Sequence, residues 1–277
     1  MTEPADAVMV AAVQVDSLTD EEANWTQSER LIREAAACAA EVIALPENML
    51  YEGKELKRRQ DVEGVWIPRF QELARELGVA FVTGSLREPA VGPGIVDDGE
   101  SSFNTIVAID REGNIHGRYR KMHLFDIDLP DGTYHKESSY LTPGDAPVTC
   151  ELPPLGRIGL SVCYDLRFPE LYRKLFMDGA ETLFVPSSFT METGRDHWEV
   201  LVRARAIENQ AFVVAPNQWG QKGRVMRKYG RSMIVDPWGV VLARCPDRPS
   251  FCIARLDFAA LRETRRNLPT RDHVRLL

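Results

Sequence analysis

A cysteine, a glutamate and a lysine each follow an apolar, strand-like segment of this 277-residue chain. Cys163 ends the apolar run that begins at Ile158, and a charged segment able to form a helix follows it. This pattern predicts a thiol that a tight turn presents at the edge of a sheet, an arrangement that suits a nucleophile. Glu47 and Lys121 are the candidates for the base and for the cation that stabilises an oxyanion.

Each of these three residues also has a structural interpretation. A cysteine at the end of a strand is often a buried thiol that packs as a small hydrophobe. A glutamate directly after Pro46 is also suited to cap a helix. Lys121 belongs to the basic run 118–121, which is typical of a solvated surface. Taken singly, these residues leave a catalytic and a structural role open.

The elements that must position these residues occur twice along the chain. The first half predicts strand, helix, strand, helix, strand and hairpin over 8–15, 21–40, 42–45, 66–77, 79–85 and 105–115. The second half predicts the same order over 156–163, 170–178, 182–185, 198–209, 211–215 and 232–241. Alternating strands and helices indicate an α/β fold. Two duplicated sheets would pack face to face as a four-layer α-β-β-α sandwich, and the alternative is a chance similarity of strand order.

The composition is that of a globular protein with a sizeable core. The chain is 44% hydrophobic and 27% charged, with a formal net charge of −7. An acidic surface argues against a nucleic-acid partner, because phosphate binding needs a basic surface. No stretch approaches the roughly 18 apolar residues of a membrane span, and the acidic N-terminus lacks the features of a signal peptide. We therefore expect one cytoplasmic domain over residues 1–277 that does not enter a membrane.

Cysteine and histidine usage argues against disulfides and against a metal centre. The five cysteines are odd in number and widely spaced, and they contain no Cys-x-x-Cys pair, which predicts reduced thiols. The five histidines, among them His123 and His197, are scattered without the pairing that zinc ligands show. We expect no metal ion.

Three longer motifs give a reason to join Glu47, Lys121 and Cys163 in one site. In chain order, the motifs are Leu45-Pro46-Glu47, the segment 119–126 and the segment 163–171. Together they resemble the three signatures of the nitrilase superfamily of carbon–nitrogen hydrolases, and the resemblance extends from residue 11 to residue 239. It implies the α-β-β-α sandwich, a Glu–Lys–Cys triad and no cofactor. By this resemblance Glu47 is the general base, Lys121 helps to stabilise the tetrahedral intermediate and Cys163 is the nucleophile.

The resemblance also implies residues around the triad. Tyr164 offers its backbone N–H as a second oxyanion donor, and Glu137 matches a further glutamate that orients the lysine and the substrate. By position, Arg167, Phe189 and Thr193 match residues that line a subsite for a substrate carboxylate, and arginine suits that ligand because it can bind a carboxylate with two hydrogen bonds. For Arg167, the alternative is a structural ion pair with Asp165 or Glu170.

The segments 186–194 and 197–210 are similar to one branch of the superfamily. That branch contains the ω-amidases, which act on α-keto-acid monoamides, and the deaminated-glutathione amidases. Lys54, Lys57 and Arg195 either favour a longer anionic substrate such as deaminated glutathione or belong to the surface. The alternatives are a nitrile, an N-carbamoyl compound or a polyamine precursor as the substrate, and a non-catalytic binding module on the same fold.

The family resemblance further implies a homodimer or a higher even oligomer. The pairing helices would be those predicted over 170–178 and 198–209. The predicted apolar face of the first helix consists of Phe168, Leu171, Tyr172, Leu175 and Phe176.

Overall fold

The computed structural model describes residues 6–53, 59–92, 95, 97–128, 134–222 and 226–276. The strands of the first half are β1 (Ala7–Gln14), β2 (Val42–Ala44), β3 (Ala80–Val82), β4 (Leu86–Pro89), β5 (Ser102–Ile109), β6 (Ile115–Arg120), β7 (Asp126–Asp128) and β8 (Tyr134–Lys136). Those of the second half are β9 (Val148–Leu152), β10 (Gly156–Leu160), β11 (Thr182–Phe184), β12 (Phe212–Ala215), β13 (Trp219–Lys222), β14 (Met226–Tyr229), β15 (Met233–Val235), β16 (Val241–Arg244) and β17 (Ser250–Asp257). The α-helices are α1 (Glu21–Ala37), α2 (Ile67–Leu77), α3 (Pro169–Met177), α4 (Met191–Thr193), α5 (Glu199–Asn209) and α6 (Phe258–Asn267).

Local sequence sets the ends of several helices. The side chain of Asp20 accepts a hydrogen bond from the Ala23 amide at 3.1 Å and so caps the start of α1. Asp257 caps α6 in the same way through the Ala260 amide at 3.0 Å. Gly78 ends α2 in the left-handed region at φ 65°, which glycine adopts without a steric penalty.

Two large sheets repeat one topology. In the first sheet, β1, β2 and β3 are parallel, β5 is antiparallel to β3, and β6 is antiparallel to β5. In the second sheet, β10, β11 and β12 are parallel, β15 is antiparallel to β12, and β16 is antiparallel to β15. The opposite edges also correspond, because β17 pairs antiparallel with β1 and β9 pairs antiparallel with β10. The predicted duplication is confirmed.

The two sheets pack face to face between two layers of helices. Val10 and Ala12 of β1 belong to the same core cluster as Ile158 of the second sheet. The alternate residues Ala11 and Val13 pack with the side chains of α1 and α2 on the other face, as the period of two in a strand requires. Helices α3 and α5 contact β10 and β12 on the outer face of the second sheet. The order of layers is therefore α-β-β-α, as predicted.

Three features differ from the sequence-based expectation. The first helix ends at Ala37 rather than at residue 40, and Ala39 lies at φ 65°, outside the helical region. Strand β17 and helix α6 had no counterpart in the prediction. The predicted apolar dimer face on α3 is wrong, because four of its five residues are buried in the protein's own core: Leu171, Tyr172, Leu175 and Phe176. Within the described ranges, no helix combines the length and the apolar character needed to cross a membrane.

Candidate active site

Three strand ends bring Glu47, Lys121 and Cys163 to one cavity of about 1230 Å³. Strand β2 leads through Leu45 and Pro46 to Glu47, and Lys121 directly follows β6. Cys163 lies three residues beyond the end of β10, at the start of a short 3-10 helix. The ends of strands in two packed sheets therefore meet at a single site, and the three residues all line its cavity.

Lys121 is at the centre of a buried cluster of charges. Its Nζ atom lies 3.0 Å from Glu47 Oε1, and 2.8 and 3.1 Å from the two carboxylate oxygens of Glu137. Lys121 is 1% exposed and Glu47 is 2% exposed, so water screens these interactions weakly. Burial alone would lower the pKa of Lys121, but Glu137 and Glu47 hold it well above the usual value. Lys121 is therefore an ammonium group at neutral pH.

The position of Glu47 is fixed on two sides. Asn104 donates a hydrogen bond from Nδ2 to Glu47 Oε1 at 2.8 Å, and Gln218 donates one from Nε2 to the Glu47 carbonyl oxygen at 3.0 Å. Gly84 packs against the peptide between Pro46 and Glu47, where a Cβ atom would clash with the carbonyl oxygen of Pro46. A residue with a side chain at position 84 would displace the segment that carries the carboxylate.

Cys163 has an unusual backbone conformation. Its φ angle is 49°, a region that non-glycine residues rarely adopt and that marks the tight turns of nucleophiles. The turn is held by a hydrogen bond from the Cys163 amide to the Pro186 carbonyl oxygen at 2.9 Å. Burial raises the pKa of the thiol well above its usual value; the charge of Glu47 raises the pKa further, and Lys121 opposes the increase. The resting sulfur is thus a protonated thiol, and the carboxylate of Glu47 lines the same cavity.

Asp165 links the turn of Cys163 to the segment that carries Lys121. Its carboxylate accepts hydrogen bonds from the Val162 amide at 2.8 Å and from the Tyr119 hydroxyl at 2.7 Å. It also accepts one from the His123 amide at 3.0 Å, and its Oδ1 lies 2.7 Å from His123 Nδ1. The carboxylate is fully buried, so these hydrogen bonds replace those that it would make to water.

Among the described residues, no backbone carbonyl accepts a hydrogen bond from the N–H of Tyr164. Tyr164 lies in the first turn of the 3-10 helix Cys163–Arg167, where amide groups have no acceptor within the helix. Tyr164, Lys121 and Cys163 line the same cavity. The arrangement can stabilise a negatively charged tetrahedral intermediate.

Arg167, Phe189 and Thr193 line the same cavity. The guanidinium carbon of Arg167 lies 5.6 Å from the ring centre of Phe189 and 5.8 Å from that of Tyr164. Arg167 Nη1 lies 3.3 Å from His197 Nδ1, and within the part of the chain that the structure describes Arg167 has no carboxylate within ion-pair distance. The alternative of a structural ion pair with Asp165 or Glu170 is therefore excluded.

Sequence reasoning missed several residues that line the cavity. They include Asn48, Glu52, Arg87, His135, Tyr140, Ser188 and Lys228. The sequence did carry a signal for Asn104, because it is a polar residue inside the apolar strand β5. Three basic residues were candidates for binding a longer anionic substrate. Arg195 is exposed and pairs with Asp196 at 2.8 Å. Lys54 and Lys57 lie outside the described residues. Among the residues described, no group of three or more His, Cys, Asp or Glu side chains has the arrangement of a metal site.

The comparisons with known proteins agree with this geometry. The sequence model of the carbon-nitrogen hydrolase family matches residues 9–266. The chain belongs to the carbon-nitrogen hydrolase family. This carbon-nitrogen hydrolase is 37% identical over 269 residues to the deaminated glutathione amidase of Synechocystis sp., and the match covers 96% of this chain and 97% of that protein.

Two solved structures share the fold of this carbon-nitrogen hydrolase. The Caenorhabditis elegans NitFhit protein has a TM-score of 0.90 at 34% identity, over 98% of this chain and 66% of that one. Saccharomyces cerevisiae Nit3, a member of branch 10 of the nitrilase superfamily, has a TM-score of 0.83 at 26% identity, over 96% of each chain. The protein is therefore a nitrilase-superfamily hydrolase that acts on amides, and the predicted α-β-β-α fold is confirmed.

Proposed function

We propose that this protein hydrolyses a carboxylate-bearing amide of the deaminated-glutathione type through a thioester on Cys163. The observation that carries the proposal is the guanidinium of Arg167, which faces the cavity of the Glu47–Lys121–Cys163 cluster and has no carboxylate partner among the described residues. An unpaired arginine beside a nucleophile suits a substrate that brings its own carboxylate. The similarity to the Synechocystis amidase supports the choice of substrate class.

The first half of the reaction forms the thioester. Glu47 takes the proton of the Cys163 thiol as the sulfur attacks the amide carbon, because the raised pKa of the thiol prevents it from ionising in advance. The oxygen of the former carbonyl becomes an oxyanion between Lys121 Nζ and the Tyr164 N–H. When the carbon–nitrogen bond breaks, Glu47 gives its proton to the departing amine.

The second half releases the acid. Water enters the place that the amine has left, Glu47 takes one of its protons, and the hydroxide attacks the thioester carbon. The same two donors stabilise the second tetrahedral intermediate. The carbon–sulfur bond then breaks, the thiolate regains a proton from Glu47, and the carboxylic acid departs. Glu137 holds Lys121 as an ammonium throughout and accepts a hydrogen bond from the Phe125 amide at 2.7 Å.

The acyl half of the substrate would lie between Phe189 and Tyr164, with its carboxylate on Arg167. Thr193 contributes a hydroxyl that lies 3.0 Å from the hydroxyl of Thr190. Phe189 is held by a hydrogen bond from its amide to Asn217 Oδ1 at 3.0 Å and by its packing against Trp198. A rigid aromatic wall next to an arginine favours a short carbon chain that ends in a carboxylate.

A substrate comparison tests this proposal. Deaminated glutathione and an α-ketoglutaramate-type monoamide are assayed for release of the keto acid, and the amine product is identified as a peptide or as ammonia. We expect turnover of deaminated glutathione. The value of kcat/KM should fall by about 10⁴-fold or more in Cys163→Ala. It should fall by about 10²-fold in Arg167→Gln, through a higher KM. The proposal would be refuted if the protein hydrolysed neither amide but did hydrolyse a nitrile or an N-carbamoyl compound. Hydrolysis of the N-carbamoyl compound would be recognised by the release of carbon dioxide.

We also propose that the whole chain, residues 1–277, works as one domain that forms homodimers in the cytoplasm. An exposed apolar surface supports dimerisation, and it consists of Val200 and Ile207 on α5 and of Trp238, Val240 and Leu242 beside it. The hydrogen bond from Arg203 Nε to the Gly239 carbonyl oxygen at 2.8 Å joins α5 to the turn that carries Trp238. A reducing compartment suits a protein whose five cysteines are all free and whose reaction needs a thiol.

A further inference from the structure

Among the described residues that line the cavity, some cationic side chains have an acidic partner and others do not. In the described lining, five side chains are cationic, namely Arg87, Lys121, Arg167, Lys222 and Lys228, and three are carboxylates, namely Glu47, Glu52 and Glu137. Every lysine has an acidic partner: Lys121 has Glu47 and Glu137, Lys228 has Glu52 at 3.2 Å, and Lys222 has Asp16 at 2.6 Å.

The remaining titratable groups do not change this balance. Burial would raise the pKa of Glu52, but Lys228 and Lys222 hold it below its usual range, so Glu52 is a carboxylate. Burial lowers the pKa of His135, so its ring is neutral. The two arginines are therefore the unpaired cations of the described lining, in a protein whose overall charge is −7.

Arg87 follows Leu86 in β4, on the side of the cavity that the first sheet forms. Its Nη2 atom donates a hydrogen bond to Asn48 Oδ1 at 3.3 Å, and its guanidinium carbon lies 5.1 Å from the ring centre of Tyr140. Its Nη1 atom is shielded from solvent and has no hydrogen-bond acceptor among the described residues. Within the described residues no carboxylate pairs with this guanidinium, so an anion that enters the cavity would meet a cation that no acidic side chain neutralises.

A row of aromatic rings connects Arg87 to Arg167 along the wall of the cavity. From Arg87 the row runs through Tyr140, His135, Phe125 and Tyr164. The ring centres are 6.2 Å apart between Tyr140 and His135, 5.6 Å between His135 and Phe125, and 5.0 Å between Phe125 and Tyr164. Arg167 then lies 5.8 Å from Tyr164. The two guanidinium groups thus lie at the two ends of this row of rings, and Cys163 lines the same cavity.

We propose that Arg87 binds a second carboxylate, which belongs to the amine half of the substrate. This inference rests on the proposed function, since it takes the acyl carboxylate to lie on Arg167. It identifies the substrate class as an amide with a carboxylate in each half, such as deaminated glutathione, whose amine half is a dipeptide with a free C-terminus. A primary amide that releases ammonia fills only the Arg167 end of the wall.

The test compares two substrates that differ at one group. Deaminated glutathione and its C-terminal carboxamide are assayed with the wild type and with Arg87→Gln, Arg87→Lys and Arg111→Gln. Arg111 is an exposed arginine in the turn after β5, outside the cavity lining, and serves as the matched control. The readout is the ratio of kcat/KM for the acid to kcat/KM for the carboxamide, which a general loss of activity or stability does not change.

The wild type is expected to prefer the acid by about tenfold or more, because a forked arginine discriminates strongly between a carboxylate and a neutral amide. Arg87→Gln should reduce this ratio to about one, mainly through KM. Arg87→Lys should keep part of the preference, because it retains the charge and loses the fork. Arg111→Gln should keep all of it. An equal loss for both substrates in Arg87→Gln, or no preference in the wild type, would overturn the proposal.

Binding separates this proposal from the proposed function. The acid and the carboxamide are titrated calorimetrically into Cys163→Ala, which cannot turn them over, with and without Arg87→Gln. Weaker binding of the acid alone by about tenfold in the double variant supports the Arg87 subsite, even if the wild type hydrolyses neither compound and the proposed function fails. Equal binding of the acid with and without Arg87→Gln, or no binding of either compound to Cys163→Ala, overturns it.

Discussion

The carboxylate of Asp165 accepts a hydrogen bond from the hydroxyl of Tyr119 at 2.7 Å, and both side chains are completely buried. Tyr119 belongs to β6 of the first sheet, two residues before Lys121, whereas Asp165 belongs to the turn that begins with Cys163 in the second half. Together with the contacts between Asp165 and His123, this hydrogen bond ties the turn of the nucleophile to the segment that carries the cation. Burial and the charge of Asp165 raise the pKa of Tyr119 well above its usual value, so the hydroxyl remains a donor.

Replacing Tyr119 with phenylalanine should weaken both the fold and the reaction. Asp165 would lose one of its buried donors, and an unsatisfied buried acceptor costs about 1–3 kcal/mol. We expect the free energy of unfolding in urea to fall by about that amount and kcat to fall as the turn loosens. Tyr134→Phe is the control, because Tyr134 is 67% exposed, and it should change neither quantity. An unchanged unfolding free energy in Tyr119→Phe would show that the contact is dispensable.

Replacing Glu137 with glutamine should shift the pH profile of kcat/KM. The substitution removes the negative charge that contributes most to the raised pKa of Lys121 and largely preserves the shape of the side chain. With a lower pKa, Lys121 loses its proton at lower pH, so the alkaline limb of the profile should move toward neutral pH. The value of kcat/KM at the pH optimum should also fall by about tenfold or more. Glu112→Gln, at an exposed turn, should leave the profile in place. An alkaline limb that does not move would argue that Glu137 does not control Lys121.

The thiol of Cys163 should make the protein lose stability at alkaline pH. Its pKa is raised in the folded state, whereas in the unfolded chain it is about 8.5. Above that pH the unfolded state releases the proton and the folded state keeps it, so stability falls as pH rises, by up to about 1.4 kcal/mol per pH unit. Cys163→Ser does not titrate there. Urea unfolding of both proteins from pH 7 to 10 should give a constant difference below about pH 8 and a growing advantage for the serine variant above pH 9. Parallel curves would contradict the burial of the thiol.

Charged substitutions on α5 should disrupt the proposed dimer. Val200 and Ile207 are 67% and 50% exposed, and a carboxylate at either position would be buried without a partner in a dimer that uses this face. Sedimentation velocity should show monomers for Val200→Glu combined with Ile207→Glu. Thr26→Glu, on the exposed face of α1, should remain dimeric. A wild-type monomer, or a double variant that stays dimeric, would rule out this interface.

The sequence predicts the duplicated sheets well, because strands such as β1 and β2 are largely apolar and helices follow them. It does not predict β17 as the edge strand of the first sheet. Ala7 of β1 pairs with Asp257, and a pairing between residues so far apart leaves no local periodicity. The dimer face on α3 was misassigned for a related reason, since an apolar helix face packs equally well against the protein's own sheet or against a partner.

For the site, spacing placed Glu47, Lys121 and Cys163 at strand ends, and the family resemblance joined them. Glu137 lies in a polar segment that reads as a surface loop, and its significance depends on the ion pair with Lys121 at 2.8 Å. Arg87 gave no signal, because an arginine in a short strand is ordinary until its neighbours are known to lack a carboxylate. Long-range electrostatic partners are the part of this site that local sequence cannot show.

The proposed mechanism requires the sulfur of Cys163 to carry the acyl group between the two halves of the reaction. The most direct measurement is intact-protein mass spectrometry of enzyme quenched in acid during turnover of deaminated glutathione, followed by mapping of the modified peptide. We expect an added mass equal to the acyl half of the substrate, located on Cys163 and absent from Cys163→Ala. Continued turnover by Cys163→Ala, or an acyl group on any other residue, would contradict it.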